Sequence, residues 1–140
     1  LAEQAATLNV HSRYLHDGVV DYVEQLVALH HDGIESAILG CSGTEATEMA
    51  LTLIRGATGK RGIICTDATY HGNSTEVSKL SHPRQDINAE IRAIPYPQRY
   101  RPLQDGVSES ELTELYLAEV RIAIDAFQAS GIPLAGMLKF

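Results

Sequence analysis

The stretch "SAILGCSGTEATEMALTLIRGATGKRGIICTD", residues 36–67, decides the fold of this chain. Its two ends, residues 36–41 and 62–67, are short and continuously apolar, which is typical of strands buried on both faces of a sheet. Between them, apolar side chains recur at helical spacing from Thr44 to about Thr58. The stretch therefore predicts a strand, a helix and a second strand.

Three further helices are predicted outside this stretch. Apolar residues recur at helical spacing over residues 17–30, and a short helix is expected over residues 74–80. Ser108 and Glu111 form the S-x-x-E pattern of a capping box, which opens a long helix that runs to about Ser130.

Two more strands complete the pattern, one within residues 91–97 and one over residues 134–140. Alternation of strands and helices predicts an α/β fold, a mostly parallel sheet with helices on both faces. We expect residues 1–140 to form a single partial domain, with 1–16 as a lead-in segment and 17–140 as the α/β region. The chain begins at Leu1 rather than methionine and ends in an apolar run, so we also expect it to be a fragment.

Composition excludes several classes of partner. The 140 residues carry 11 Lys and Arg against 18 Asp and Glu, a net charge of −7 without any basic cluster. This balance argues against a nucleic-acid or acidic-membrane partner, because both require a basic surface. No apolar run reaches the 18 or so residues that a membrane span needs. Cys41 and Cys65 lie in apolar segments, which favours reduced thiols and a cytoplasmic location.

The helix start at Ser42–Thr44 is the first candidate site. Ser42 and Glu45 fit a capping box, which alone explains most of the motif. However, a cap does not need Gly43, whereas a glycine lets a ligand approach the backbone closely. Free amides and the helix dipole favour a phosphate group at such a position. The motif lacks the lysine of a Walker A loop and the spacing of a dinucleotide turn.

The second candidate site is the loop "ATYHGNST", residues 68–75, beyond the strand 62–67. Carboxyl ends of parallel strands meet at one edge of a sheet, so this loop and the helix start are expected to share that edge. Tyr70 offers an aromatic face there, and Gly72 keeps the loop compact. An ordinary surface loop is the alternative, but the two motifs together suit a small phosphorylated aromatic cofactor.

Other site chemistries find little support in the sequence. The six histidines lack the spacing of a metal site, and we expect no metal. "GCSGT", residues 40–44, does not match the G-x-S-x-G elbow of the α/β-hydrolases.

The segment "SGTEATEMALTLIRGATGKRGIICTDATYHGNST", residues 42–75, resembles the class III aminotransferases, which depend on pyridoxal 5′-phosphate. The resemblance implies part of the large domain of the aspartate aminotransferase-like fold, in an enzyme that is usually a homodimer. It implies that the cofactor phosphate binds at the helix start and that Tyr70 stacks on the pyridine ring. The residues so assigned to the cofactor are Ser42, Gly43, Thr44, Tyr70, His71 and Gly72.

The resemblance also implies the reaction, transfer of an amino group between a small-molecule donor, an amino acid or amine, and a 2-oxo acid or aldehyde. In this family the Schiff-base lysine and the acid that pairs with the pyridine nitrogen lie further along the chain. None of Lys60, Lys79 and Lys139 occurs in a matching motif, so we expect no catalytic residue in this chain and an inactive fragment. Alternatives are an aminomutase, racemase or lyase that uses the same cofactor, or a truncated non-catalytic α/β fragment. The substrate pair is not readable from the sequence.

Overall fold

The computed structural model describes residues 1–7, 14–81, 83 and 88–139. Residues 8–13 of the predicted lead-in segment and Phe140, at the end of the strand predicted over residues 134–140, lie outside the described residues. The chain divides into two compact units, Leu1–Leu39 and Gly40–Phe140.

Among its described residues, the first unit contains two helices, α1 (Ala2–Thr7) and α2 (Asp17–Ala28). The prediction of a helix over residues 17–30 is confirmed. The backbone of His16 is extended, and its Nδ1 accepts a hydrogen bond from the Gly18 amide, 3.1 Å away, which satisfies one of the amides left free at the helix start. Neither helix contains a buried residue.

The second unit contains the predicted alternation of strands and helices. Its elements in chain order are α3 (Gly43–Thr58), β1 (Gly62–Thr66), α4 (Ser78–Ser81), β2 (Ile91–Ile94), α5 (Glu109–Ser130) and β3 (Leu134–Leu138). The capping box predicted for α5 is present, with Ser108 and Glu111 bonded reciprocally. The short helix predicted over residues 74–80 is present only as α4, because residues 75–77 form turns.

The three strands form one parallel sheet in the order β2-β1-β3. Ile63 of β1 lies opposite Ile91 of β2, and Cys65 lies opposite Ala93. Strand β2 ends before Pro95, which has no amide hydrogen to donate to the ladder. Because all strands run the same way, their carboxyl ends share one edge of the sheet.

Helices cover both faces of this sheet, as predicted. All five residues of β1 are buried, and successive side chains point to opposite faces. On one face, Ile63 and Cys65 belong to a cluster that contains Leu51 of α3 and Leu80 of α4. On the other face, a second cluster consists of Ile64, Ile94, Ala123 and Phe127, the last two from α5.

The predicted strand over residues 36–41 is wrong, because these residues are in no strand of the structure. The side chains of Ile38 and Leu39 are 61% and 40% exposed. Apolar composition signals a tendency to be buried, but a strand also needs a neighbouring backbone to bond with. No strand of the described residues pairs with this segment.

Candidate functional site

The first turn of α3 presents two free amides. Ser42 is the N-cap, and its Oγ accepts a hydrogen bond of 3.2 Å from the Glu45 amide. The Ala46 amide donates to the Ser42 carbonyl oxygen at 3.0 Å. Within the described residues, no acceptor binds the amides of Gly43 and Thr44. These two donors therefore remain available at the positive end of the α3 dipole.

Glu45 does not complete the capping box suggested by the sequence. Its Oε2 accepts a hydrogen bond from the Cys41 amide, at 2.6 Å, rather than from the amide of Ser42. The carboxylate is thus bound by the residues that precede the helix. Ser42 caps the helix and leaves the next two amides free, so a cap and an anion site are compatible here.

The backbone at Gly43 faces open space. A Cβ atom placed on Gly43 would meet no atom within 4 Å, apart from its chain neighbours and the adjoining backbone of α3. An anion can therefore approach the two free amides closely, which is the geometry that a phosphate group requires. The residues present at this helix start fit the phosphate of the predicted cofactor.

The loop after β1, residues 67–77 and here called the YHG loop, lies against this same helix turn. A Cβ atom placed on Gly72 would lie 2.6 Å from Thr44 Oγ1 and 3.0 Å from Thr44 Cα. Gly72 also has a φ of +137°, in a region that L side chains rarely adopt. The close contact of Gly72 with Thr44 thus brings the two segments predicted from the sequence together.

Tyr70 lies in the YHG loop with its side chain 69% exposed. It precedes Gly72 by two positions, so its Cα lies within about 7 Å of the Gly72 Cα. The backbone of Tyr70 is therefore near the first turn of α3, and its side chain is accessible to a ligand. An open cavity of about 630 Å³ lies beside it, with Asp67 and Ala93 in its lining.

His71 is placed differently from Tyr70, since its side chain is only 4% exposed. Its Nε2 lies 2.7 Å from Thr69 Oγ1, and its amide donates to Ser81 Oγ at 2.8 Å. Burial lowers the pKa of His71, and a hydrogen bond with the Thr66 backbone opposes that shift. The buried imidazole therefore helps to hold the loop in place. A role for His71 in binding the cofactor stays a prediction.

None of the three lysines lies in the first turn of α3 or in the YHG loop. Lys60 occupies the turn between α3 and β1, and Lys139 follows β3. Lys79 forms an ion pair with Glu76. In the described ranges, no cluster of three or more metal-ligating side chains occurs, and no helix there has the length and apolar character to cross a membrane.

Two contacts between α3 and the YHG loop were not anticipated from the sequence. Ser74 Oγ donates a hydrogen bond to Glu48 Oε1, and Arg55 Nη1 lies 3.3 Å from Glu76 Oε2. The signal for them is weak. Thr44, Glu48 and Arg55 fall on one side of α3, but this spacing does not identify their partners.

The curated proteins include relatives of this chain. Over 80 residues the chain is 32% identical to an alanine–glyoxylate aminotransferase 2-like protein of Drosophila melanogaster, a match that covers 57% of this chain and 16% of the relative. Over 127 residues it is 27% identical to the ethanolamine-phosphate phospho-lyase homolog 1 of Caenorhabditis elegans. This match covers 84% of this chain and 27% of the relative. No family model matches the sequence.

The solved structures extend the match over nearly the whole chain. A phospholyase from Arthrobacter, in complex with phosphoethanolamine, is 34% identical with a TM-score of 0.79 and covers 99% of this chain. The resemblance to the class III aminotransferases is confirmed. The chain has the fold of part of such a protein, since it spans 33% of the phospholyase and 16–27% of the two curated relatives.

Proposed function

We propose that this chain is part of the large domain of a pyridoxal 5′-phosphate-dependent transaminase. The whole enzyme would move an amino group between an amino acid or amine and a 2-oxo acid or aldehyde. The observation that supports this most is the contact of Gly72 with Thr44, which joins a free helix start to an exposed tyrosine. That arrangement occurs in a chain with an aminotransferase among its relatives.

The first turn of α3 binds the cofactor phosphate in this proposal. The amides of Gly43 and Thr44 donate to the phosphate oxygens, and the helix dipole stabilises the negative charge. The Ser42 hydroxyl accepts from the Glu45 amide, so its own hydrogen is available for the phosphate. The Thr44 hydroxyl, which lies beside Gly72, serves as a further donor.

The YHG loop orients the aromatic part of the cofactor. Tyr70 covers one face of the pyridine ring, while His71 and Gly72 hold the loop at the distance that the ring requires. When bound, the cofactor supplies an electron sink for the bond broken at the substrate carbon. The lysine and the acidic residue that the chemistry needs come from the remainder of the enzyme.

A phospho-lyase is the second candidate, and the sequence identity of the long matches favours it. The phospholyase structure that covers 99% of this chain is 34% identical, whereas two transaminase structures with the same coverage are 18% and 20% identical. The curated match that covers 84% of this chain is also to a phospho-lyase homolog. The two functions share the same phosphate and ring contacts. They differ in the bond broken at the substrate, and the residues that decide this lie outside the present chain.

We infer in addition that the whole protein is a cytoplasmic homodimer and that both compact units belong to one large domain. The resemblance supports the dimer and the domain. The cytoplasmic location is supported by the free thiols of Cys41 and Cys65, since disulfides are rare in a reducing compartment. Sedimentation equilibrium of the full-length protein tests the dimer.

The test of function compares two threonines of α3 in the full-length protein. Thr44→Val replaces the hydroxyl at the phosphate position with a methyl group, and Thr52→Val makes the same change at an exposed position where the hydroxyl bonds its own helix. We expect Thr44→Val to weaken pyridoxal 5′-phosphate binding about tenfold. Thr52→Val should bind as the wild type does, and equal affinities in all three proteins would contradict the proposal.

Product analysis separates the two candidate reactions. The full-length protein is incubated with pyridoxal 5′-phosphate and either an amino acid with a 2-oxo acid, or phosphoethanolamine. Formation of a new amino acid supports the transaminase. Release of inorganic phosphate from phosphoethanolamine supports the phospho-lyase instead.

A further inference from the structure

Three contacts connect the YHG loop to one side of α3. Gly72 packs on Thr44, Ser74 bonds to Glu48, and Glu76 forms an ion pair with Arg55. The loop residues alternate along the chain, at positions 72, 74 and 76. The helix residues, at 44, 48 and 55, are separated by four and seven positions, so they lie on one helix face. We call these three contacts the loop anchor.

Two sets of contacts hold the loop around its exposed tyrosine. Buried His71 bonds to Thr69 and to Ser81 of α4. No regular element constrains residues 67–77. The loop anchor is the set that contacts α3, so it contributes directly to the distance between Tyr70 and the first turn of that helix.

We propose that Glu48 and Ser74 are positioning residues of the cofactor site, which set the spacing between the phosphate position at Gly43 and the ring of Tyr70. This inference depends on the proposed function, because the phosphate and the ring belong to one molecule of fixed covalent geometry. Neither residue is needed to bind the phosphate or to stack on the ring. Each acts by holding the loop on the helix.

Of the two polar contacts in the loop anchor, the Glu48–Ser74 hydrogen bond lies nearer the first turn of α3. Both side chains are half-buried, and the acceptor is a carboxylate, which gives a stronger hydrogen bond than a neutral pair. Thr44 and Gly72 are in direct contact next to it, so a shift at Ser74 is transmitted to Gly72 and Tyr70. Arg55 and Glu76 lie further from the helix start.

The test uses two probes on the full-length protein freed of its cofactor. Inorganic phosphate reports on the helix start alone. Pyridoxine 5′-phosphate reports on the helix start and the ring position together, and its alcohol group does not react with lysine. Wild type, Glu48→Ala, Ser74→Ala and Glu48→Gln are compared by isothermal titration calorimetry.

Glu114→Ala is the matched control. Glu114 pairs with Arg121 of its own helix α5, at 3.6 Å, and has no part in the loop anchor. If Glu48 has only a general stabilising role, the two alanine variants will behave alike. If Glu48 sets the spacing, only its own variant will change the binding of the ring-bearing probe.

We expect Glu48→Ala and Ser74→Ala to weaken pyridoxine 5′-phosphate binding about tenfold and to leave inorganic phosphate binding within about twofold of the wild type. Glu48→Gln keeps an acceptor oxygen and restores most of the affinity. Glu114→Ala leaves both affinities unchanged. If Glu48→Ala does not fold, Ser74→Ala, which removes a single hydroxyl, decides the question.

Two results would overturn the inference. Unchanged affinity for pyridoxine 5′-phosphate in both alanine variants would show that the contact does not position the loop. Equal weakening of both probes would show a general structural role. A wild-type protein that binds neither probe would instead contradict the proposed function itself, so the two failures are distinguishable.

Discussion

At the scale of single residues, the two glycines of the site have opposite surroundings. Gly72 is packed against Thr44 at a positive φ, whereas Gly43 faces open space. The same substitution therefore tests two different roles. The structure explains Gly72 by packing and leaves Gly43 to be explained by a ligand.

Gly72→Ala should destabilise the protein, because its Cβ atom would lie 2.6 Å from Thr44 Oγ1 and the φ is unfavourable for alanine. We expect a loss of about 1–3 kcal/mol in the free energy of unfolding, measured by urea denaturation. Gly43→Ala should stay within about 0.5 kcal/mol of the wild type and still weaken pyridoxal 5′-phosphate binding. A stable Gly72→Ala variant would refute the packing described for this loop.

His71 makes stability depend on pH. Its pKa is lowered in the folded protein, so the unfolded chain binds a proton more readily, starting near its ordinary value of 6.5. The free energy of unfolding should therefore fall as the pH decreases through 6.5 and level off below the folded pKa. Urea titrations of wild type and His71→Gln between pH 7.5 and 5.5 measure this.

The slope in this window should be smaller in His71→Gln. Glu76 and Glu111 also have a lowered pKa, from hydrogen bonds with Lys79 and Ser108 respectively. Their contributions are lost only below their ordinary value of 4.5, outside the window. The same slope in both proteins would mean that His71 does not titrate as its burial implies.

At the scale of helices and strands, α5 has the best-defined start. The Glu111 carboxylate accepts from the Ser108 amide at 2.8 Å, and the Ser108 hydroxyl accepts from the Glu111 amide at 3.2 Å. Ser108→Ala should cost about 1 kcal/mol of stability in urea denaturation. Ser110→Ala, at an exposed position two residues further on, is the control. An effect of equal size in both variants would contradict the cap.

Local patterns in the sequence predict these elements well, and long-range contacts account for what they miss. The 3.6-residue period identifies α3 and α5, and the S-x-x-E pattern of the capping box identifies the residue at which α5 begins. For residues 36–41, the apolar pattern predicts a strand, but no strand of the described residues pairs with this segment. A strand depends on a partner far away in the chain, and a local pattern does not contain that information.

In the candidate site, too, local motifs were predictable from the sequence and long-range contacts were not. The helix start and the aromatic loop were predictable, since each is a local motif. The expectation that they share one sheet edge relied on a strand over residues 36–41, which the structure lacks. The contact of Gly72 with Thr44 fixes their distance, and the hydrogen bond of Ser74 with Glu48 supports it. These contacts join residues 26 or more positions apart, so the sequence alone did not identify them.

At the scale of the whole molecule, apolar side chains remain uncovered in each compact unit. Val19 and Tyr22 of α2 are 45% and 55% exposed, as is much of the 36–41 segment, and Met137 of the outer strand β3 is 38% exposed. Exposed apolar surface and an unpaired strand edge both favour association between chains. The relatives, which are several times longer, have further chain to cover such surfaces.

The isolated 140-residue chain should therefore self-associate. Size-exclusion chromatography with light scattering, over a tenfold range of protein concentration, should show a mass that increases with concentration. The full-length protein should give a constant mass over the same range. A monomeric 140-residue chain with a sharp, cooperative melt would contradict this expectation.

The central claim is that one cofactor molecule bridges the start of α3 and Tyr70. A crystal structure of the full-length protein with pyridoxal 5′-phosphate measures this directly. We predict phosphate oxygens within about 2.7–3.2 Å of the amide nitrogens of Gly43 and Thr44. The Tyr70 ring should lie over the pyridine ring, with the centroids about 4.5–7 Å apart. A phosphate bound elsewhere, or a Tyr70 ring turned away from the cofactor, would contradict the claim.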